Sequence, residues 1–313
     1  MESPAMRRCL VTTQYVVSGF SRTWVLLLLA LMGASAPAFA QPNTIEAINA
    51  RDQGPGSVEL DGSWAPTQSE DVSNDTVPVD YMALPLNEAA RTRALSYNES
   101  QLGMIERQCE GWSASYILTG PFGLKIWSDY APVKGNLISY TIGAWGDKLP
   151  MVIWMDGRPQ PSRYAEHTRI GFTTGRWEGN TLVTVTTHMK EGFIRKNGAP
   201  ASDLAKMTIR FQRHENTLLA IGIIEDPIYL AEPLVWTRNY TLATTPLVAT
   251  SNPCIATFEG TALTSDVPHW LWGKKPYQDE LTKKFGIPQD VILGYPETLY
   301  PEYRQKMKPP ASR

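Results

Sequence analysis

Residues 112–242 carry eight short runs rich in β-branched and aromatic residues, and no other feature limits the possible folds as strongly. The runs fall at 115–119, 123–128, 137–142, 151–155, 181–188, 206–213, 218–224 and 234–242. Gly135-Asn136, Gly146-Asp147, Asp156-Gly157, Gly179-Asn180 and Glu215-Asn216 lie between them, and such pairs suit the tight turns of hairpins. Successive strands joined by short turns predict an antiparallel meander. An open sheet of that size leaves two unpaired edges, and closing it into a barrel removes them. The expected fold is an all-β barrel, with a two-sheet β-sandwich as the alternative.

Composition fits this reading. The 313 residues are 42% hydrophobic and 19% charged, enough for a sizeable core, while 24 Pro and 23 Gly argue against a helical bundle. A formal charge of −2 supplies no basic field, so nucleic acid is not an expected partner.

The first 40 residues read as a secretory signal peptide. Arg7, Arg8 and Arg22 form a basic region, residues 24–32 an apolar core, and Ala38 and Ala40 supply small side chains before the cleavage point. The core is too short to cross a bilayer, so no membrane span is expected after cleavage near Ala40. A periplasmic or secreted location follows. In that oxidising setting Cys109 and Cys254 form one disulfide or remain two buried thiols, and both readings stay open.

Three stretches follow the signal. Residues 41–108 are acidic and turn-rich, with a short helical period over 85–95 that Asn87 can cap, and are expected to lie across the main domain. Residues 109–255 hold the barrel. Residues 256–313 form a carboxyl extension with helices expected over 276–285 and 297–307.

Strand alternation places the chemistry. In residues 234–242 one face reads Leu234, Trp236, Arg238, Tyr240 and Leu242. An arginine between aromatics suits the wall of a cavity for an anionic or carbonyl-bearing ligand, and equally a rim arginine paired with a carboxylate. Trp154, Arg158, Trp177 and Tyr229 are further candidates for lining such a cavity. His188 and Lys190, two residues apart at a strand end, could place a base beside a positive charge. Asp226 and Glu178 are candidate proton partners, although Asp226-Pro227 is also a good turn starter. No HExxH spacing, nucleophile elbow, phosphate loop or dinucleotide fingerprint occurs, so no metal and no cofactor are expected.

Two segments carry a resemblance. IWMDGRP at 153–159 and TGRWEGNTLV at 174–183 resemble the signatures of a large, largely uncharacterised family of secreted proteins from proteobacteria and acidobacteria. The likeness runs from LDGSWAP at 60–66 through THMKEG at 187–192, RKNG at 195–198, DPIYLAEP at 226–233 and VPH at 267–269 to ETLYPEY at 297–303. Other branches carry His where Gln160 and Phe172 stand and Asp where Val185 stands. This chain is closer to the branch with a Thr-His-x-Lys segment, which adds weight to His188 and Lys190. The resemblance implies a periplasmic setting and, by analogy, a lipocalin-like barrel.

The leading expectation is an acid/base enzyme of isomerase, lyase or hydratase type, acting on a small apolar or aromatic molecule in the barrel. The alternative is a non-catalytic periplasmic carrier of a similar ligand. Polar groups converging in one cavity favour the enzyme, and histidines on the outside favour the carrier.

Overall fold

Local pairing builds most of the molecule. Gly179 and Glu215 take the left-handed backbone (φ 62° and 50°) that two-residue hairpin turns require. They return the chain from β5 (Phe172–Glu178) to β6 (Thr181–Thr187), and from β9 (Lys206–His214) to β10 (Thr217–Glu225). A longer turn at 131–136 joins β2 (Leu124–Tyr130) to β3 (Leu137–Gly143), which pairs with β4 (Met151–Trp154). β11 (Leu234–Leu242) pairs with β10. This computed structural model describes residues 59–67, 78–98, 113–118, 122–143, 149–247 and 269–307, all within one compact unit. Residues 1–40, expected to be a signal peptide, and Cys109 and Cys254 lie outside the described residues.

The sheet closes through β1 (Gly62–Pro66), which pairs with β11 on one side and β2 on the other. The result is a closed all-β barrel in the order β1-β11-β10-β9-β6-β5-β4-β3-β2. Inward rows are apolar and buried, as Met207, Ile209 and Phe211 on β9 and Leu218, Ala220 and Ile224 on β10 illustrate. Trp64 of β1 is fully buried and its indole N–H donates to Leu60 O at 2.9 Å. Burying a side chain of that size contributes about 2–3 kcal/mol.

Several elements differ from the sequence expectation. β1 comes from the stretch read as an extension, and its Gly62 and Pro66 conceal it in sequence. β5 was not expected either, because Gly175 interrupts its pattern. A Cβ at Gly175 would lie 2.6 Å from Met155 Sδ and 2.7 Å from Ile153 Cγ2, so the barrel interior requires glycine there. β4 and β5 run parallel, and the meander is broken at that point. A parallel pair needs a crossover, and residues 155–171 supply it as a strap over the outer wall. The run at 115–119 is a 3₁₀ turn (Ala114–Leu118), with residues 113–117 all buried and lacking strand alternation. It packs against β10 and β11.

One barrel end is capped. The connection from β6 to β9 forms a small hairpin, β7 (Gly192–Phe193) with β8 (Pro200–Ala201). α1 (Glu88–Ser96) packs on β8, and Asn87 caps it as expected, its side chain accepting from Ala90 N at 3.0 Å. Residues 85–87 bond to the β10–β11 loop through Ala231 N to Pro85 O (2.9 Å) and Asn87 N to Tyr229 O (3.1 Å).

The carboxyl extension is more broken than the two expected helices. It contains α2 (Glu280–Phe285), α3 (Gln289–Ile292), a 3₁₀ turn (Pro296–Leu299) and α4 (Pro301–Arg304). Gly286 and Gly294, both left-handed (φ 70°), end α2 and the turn after α3. Buried Lys275 anchors this extension to the end of α1, donating to Ala94 O (3.2 Å) and Tyr97 O (2.9 Å). No helix among the described residues is long and apolar enough to cross a membrane.

Candidate ligand-binding site

β11 carries its alternating row into the barrel. Arg238 and Tyr240 are buried, with the guanidinium carbon 5.7 Å from the tyrosine ring centroid. Trp236, on the same face, lies opposite Gly222 of β10, which offers no side chain to fill the space. Although it lies on the inward row, Trp236 is only half-buried.

The cap contributes a second arginine. Arg195, in the turn between β7 and β8, is buried and holds its guanidinium 5.1 Å from the Trp236 ring centroid. A desolvated contact of this kind is worth about 2 kcal/mol. Its Nη1 donates to Asp80 O at 3.3 Å, and Asn197 Nδ2 donates to the same oxygen at 2.7 Å. The Asp80 carboxylate accepts from Met82 N at 3.1 Å. Burial raises the Asp80 pKa above its ordinary value, while the Met82 N–H and the Arg195 charge oppose that shift. Arg195, the Trp236 indole and Asp80 therefore gather at the capped end, while Arg238 lies two residues further along the same inward row of β11. Guanidinium groups are kept out of water only where oxygen atoms or aromatic faces meet them, and Arg195 meets both here, in the Asp80 carbonyl and the Trp236 ring.

The remaining expected site residues lie elsewhere. β6 ends at Thr187, and His188 takes a left-handed backbone (φ 56°), so His188 and Lys190 do not share a strand face as the sequence implied. That conformation is uncommon for a residue with a side chain and turns the chain toward the strap. There His188 Nε2 donates to Ser162 O at 2.9 Å, and Nδ1 lies 2.7 Å from Thr187 Oγ1. Gln160 of the strap donates to Thr174 Oγ1 (2.8 Å) and Val185 O (3.0 Å) and accepts from Thr187 Oγ1 (2.7 Å). The His167 ring stands 5.1 Å from that of His188, and its Nδ1 donates to Met189 O at 3.0 Å. Both histidines thus fasten the strap to the outer wall. Lys190 is exposed, and its backbone N–H donates to Thr168 O at 2.8 Å.

Glu178 sits on the outer surface between Arg210 (2.7 Å) and Arg176 (2.5 Å), which hold its carboxyl below the usual range. Asp226 is buried and receives four donors, Ser202 N (2.7 Å), Ser202 Oγ (2.7 Å), Ile228 N (2.9 Å) and Tyr229 N (3.2 Å). Its surroundings are those of a turn. Trp154 faces outward under Arg158, whose guanidinium lies 3.5 Å from the indole centroid and pairs with Asp156. Trp177 points inward near the opposite barrel end, edge-on to Tyr140 with centroids 6.3 Å apart. The Tyr229 hydroxyl donates to surface Glu191 at 3.3 Å, and burial raises its pKa.

Of the eleven expected residues, the structure brings together Trp236, Arg238 and Tyr240. Sequence reasoning missed Arg195 and Asp80. Arg195 opens the RKNG segment, which was a detectable signal, but Asp80 lay in a stretch read only as a covering extension. Among the described residues, no three His, Cys, Asp or Glu side chains gather where a metal ion could be held. No family model, curated protein or solved structure matches the chain.

Proposed function

We propose that the protein is a periplasmic carrier that takes up a small apolar or aromatic molecule at the capped end of its barrel. Arg195 and Arg238 would clamp a carboxylate or carbonyl on that molecule, and Trp236 would receive its apolar body. One observation carries the reading. Arg195 holds its guanidinium over half-buried Trp236, with Arg238 on the same inward row of β11, while His188, Lys190, Glu178 and Asp226 lie elsewhere, in the strap, on the surface or in a turn. The secretory signal and the family resemblance support the periplasmic setting.

Asp80 supports a second reading. A buried carboxyl whose pKa is raised, beside a guanidinium, suits proton transfer. In that case the protein is an isomerase, lyase or hydratase without an organic cofactor.

The test incubates the purified secreted chain with pooled aromatic and terpenoid acids and ketones, followed by mass spectrometry. Retention of an unchanged compound, lost in Arg195→Gln and Trp236→Leu, is the expected result. Conversion to a new mass or isomer peak, abolished by Asp80→Asn, would replace the carrier with the enzyme. Retention that both Arg195→Gln and Trp236→Leu leave intact would overturn the site.

A further inference from the structure

Two sequence segments that the barrel site does not use meet on the outside of the molecule. The 297–303 segment of the carboxyl extension and the 226–233 loop between β10 and β11 border one groove of about 440 Å³. Glu232 comes from the loop, while Glu297, Tyr300, Glu302, Tyr303 and Lys306 come from the extension. The volume is that of a small-molecule site rather than of a single ion.

Its lining has a definite chemical character. Three carboxylates face one ammonium, and among the described residues none of the three forms an ion pair with a lysine or arginine. The two phenol hydroxyls are already committed, Tyr300 donating to Glu232 and Tyr303 to Asp290. Burial, followed by the Asp290 carboxylate, pushes the Tyr303 hydroxyl up to about 12, and Glu232 raises that of Tyr300, so both rings stay neutral phenols. With their hydroxyls engaged, the rings have their π-faces left to offer, and those faces attract cations. Among the described residues no three His, Cys, Asp or Glu side chains, these carboxylates included, gather where they could ligate a metal. A divalent ion wants several oxygens within about 2.6 Å, so this arrangement does not suit one.

We propose that this groove binds a small organic cation, an ammonium group carried on an apolar body. Aromatic faces would hold the body, and the carboxylates, none of them in an ion pair with a lysine or arginine, would supply the charge. The groove is separate from the barrel, so its test is independent of the carrier reading.

The probe is benzyltrimethylammonium, titrated into the intact secreted chain and followed by calorimetry. Its shape-matched neutral counterpart, 2-methyl-1-phenylpropan-2-ol, is the comparison. Saturable binding of the cation is expected, with the alcohol about tenfold weaker. Replacing both Glu232 and Glu302 by Gln should weaken the cation about tenfold while leaving the melting curve close to wild type. The carboxylates are partly or fully exposed, so folding is not at risk. Equal affinity for the two probes, no saturation by the cation, or unchanged affinity in the double variant would overturn the proposal. Displacement of the probe by calcium at equal concentration would overturn it in favour of a metal site.

Discussion

Asp226 separates a structural role from a catalytic one. It directly follows β10 with its carboxylate buried and holds two segments together, the 202–205 approach to β9 and the 226–230 turn before β11. Asp226→Ala leaves three backbone N–H groups and one hydroxyl without their acceptor. A buried donor left unsatisfied costs about 1–3 kcal/mol, but the hydroxyl can rotate and water can reach the half-buried turn. The expected loss is therefore about 3–5 kcal/mol. Asp226→Asn is milder. Its amide oxygen can keep the Ser202 Oγ, Ile228 and Tyr229 donors, while its NH₂ meets the Ser202 N–H that Oδ2 now accepts at 2.7 Å. One donor–donor conflict costs about 1–3 kcal/mol. Ser202→Ala removes a single hydrogen bond, worth about 1 kcal/mol. Urea unfolding followed by circular dichroism should rank the variants Ala, Asn, Ser202→Ala and wild type in increasing stability. For a chain of this size each kcal/mol moves Tm by about 2–4 °C. If Asp226→Asn melts like wild type yet abolishes turnover of an identified substrate, the carboxylate is a proton-transfer group and the structural account is wrong.

Two further perturbations probe the cap. Gly198 has φ 92°, and a Cβ there would lie 2.4 Å from Tyr97, whose ring packs on Phe193 at 4.9 Å. Gly198→Ala should cost about 2–4 kcal/mol in urea unfolding from strain and overpacking together, and a neutral result would mean the hairpin is not seated on α1 as described. Asp80 has a folded-state pKa above its unfolded value of 3.8, because burial outweighs the Met82 N–H and Arg195. Stability from this group is therefore fully present below the unfolded value and is lost as pH rises through the folded one. Asp80→Asn keeps the acceptor for Met82 and should be at least as stable as wild type near neutral pH, the gap closing in acid. A variant clearly weaker than wild type at neutral pH would show that Arg195 dominates over burial.

What the sequence discloses depends on which physical rule sets each position. β6, β9, β10 and β11 are legible because a two-residue period and a tight turn are local properties. β1 and β5 are hidden because closure of the barrel, a long-range event, puts Gly62, Pro66 and Gly175 inside strands that local rules would reject. The 3₁₀ turn Ala114–Leu118 has strand composition but no solvated face, so its propensity yields to its burial over the barrel end. The same division runs through the site. Trp236, Arg238 and Tyr240 are readable as a row because strand period alone aligns them. Arg195 and Asp80 are joined across 115 residues by a cap whose path no local pattern specifies. His188 marks the boundary between the two regimes. One residue past the end of β6 the backbone becomes left-handed, the two-residue period ceases to apply, and a side chain read as reaching the cavity with Lys190 instead binds the strap. A side chain placed by strand alternation therefore points where the pattern says only while the strand continues through it, a condition that Arg238 meets and His188 does not.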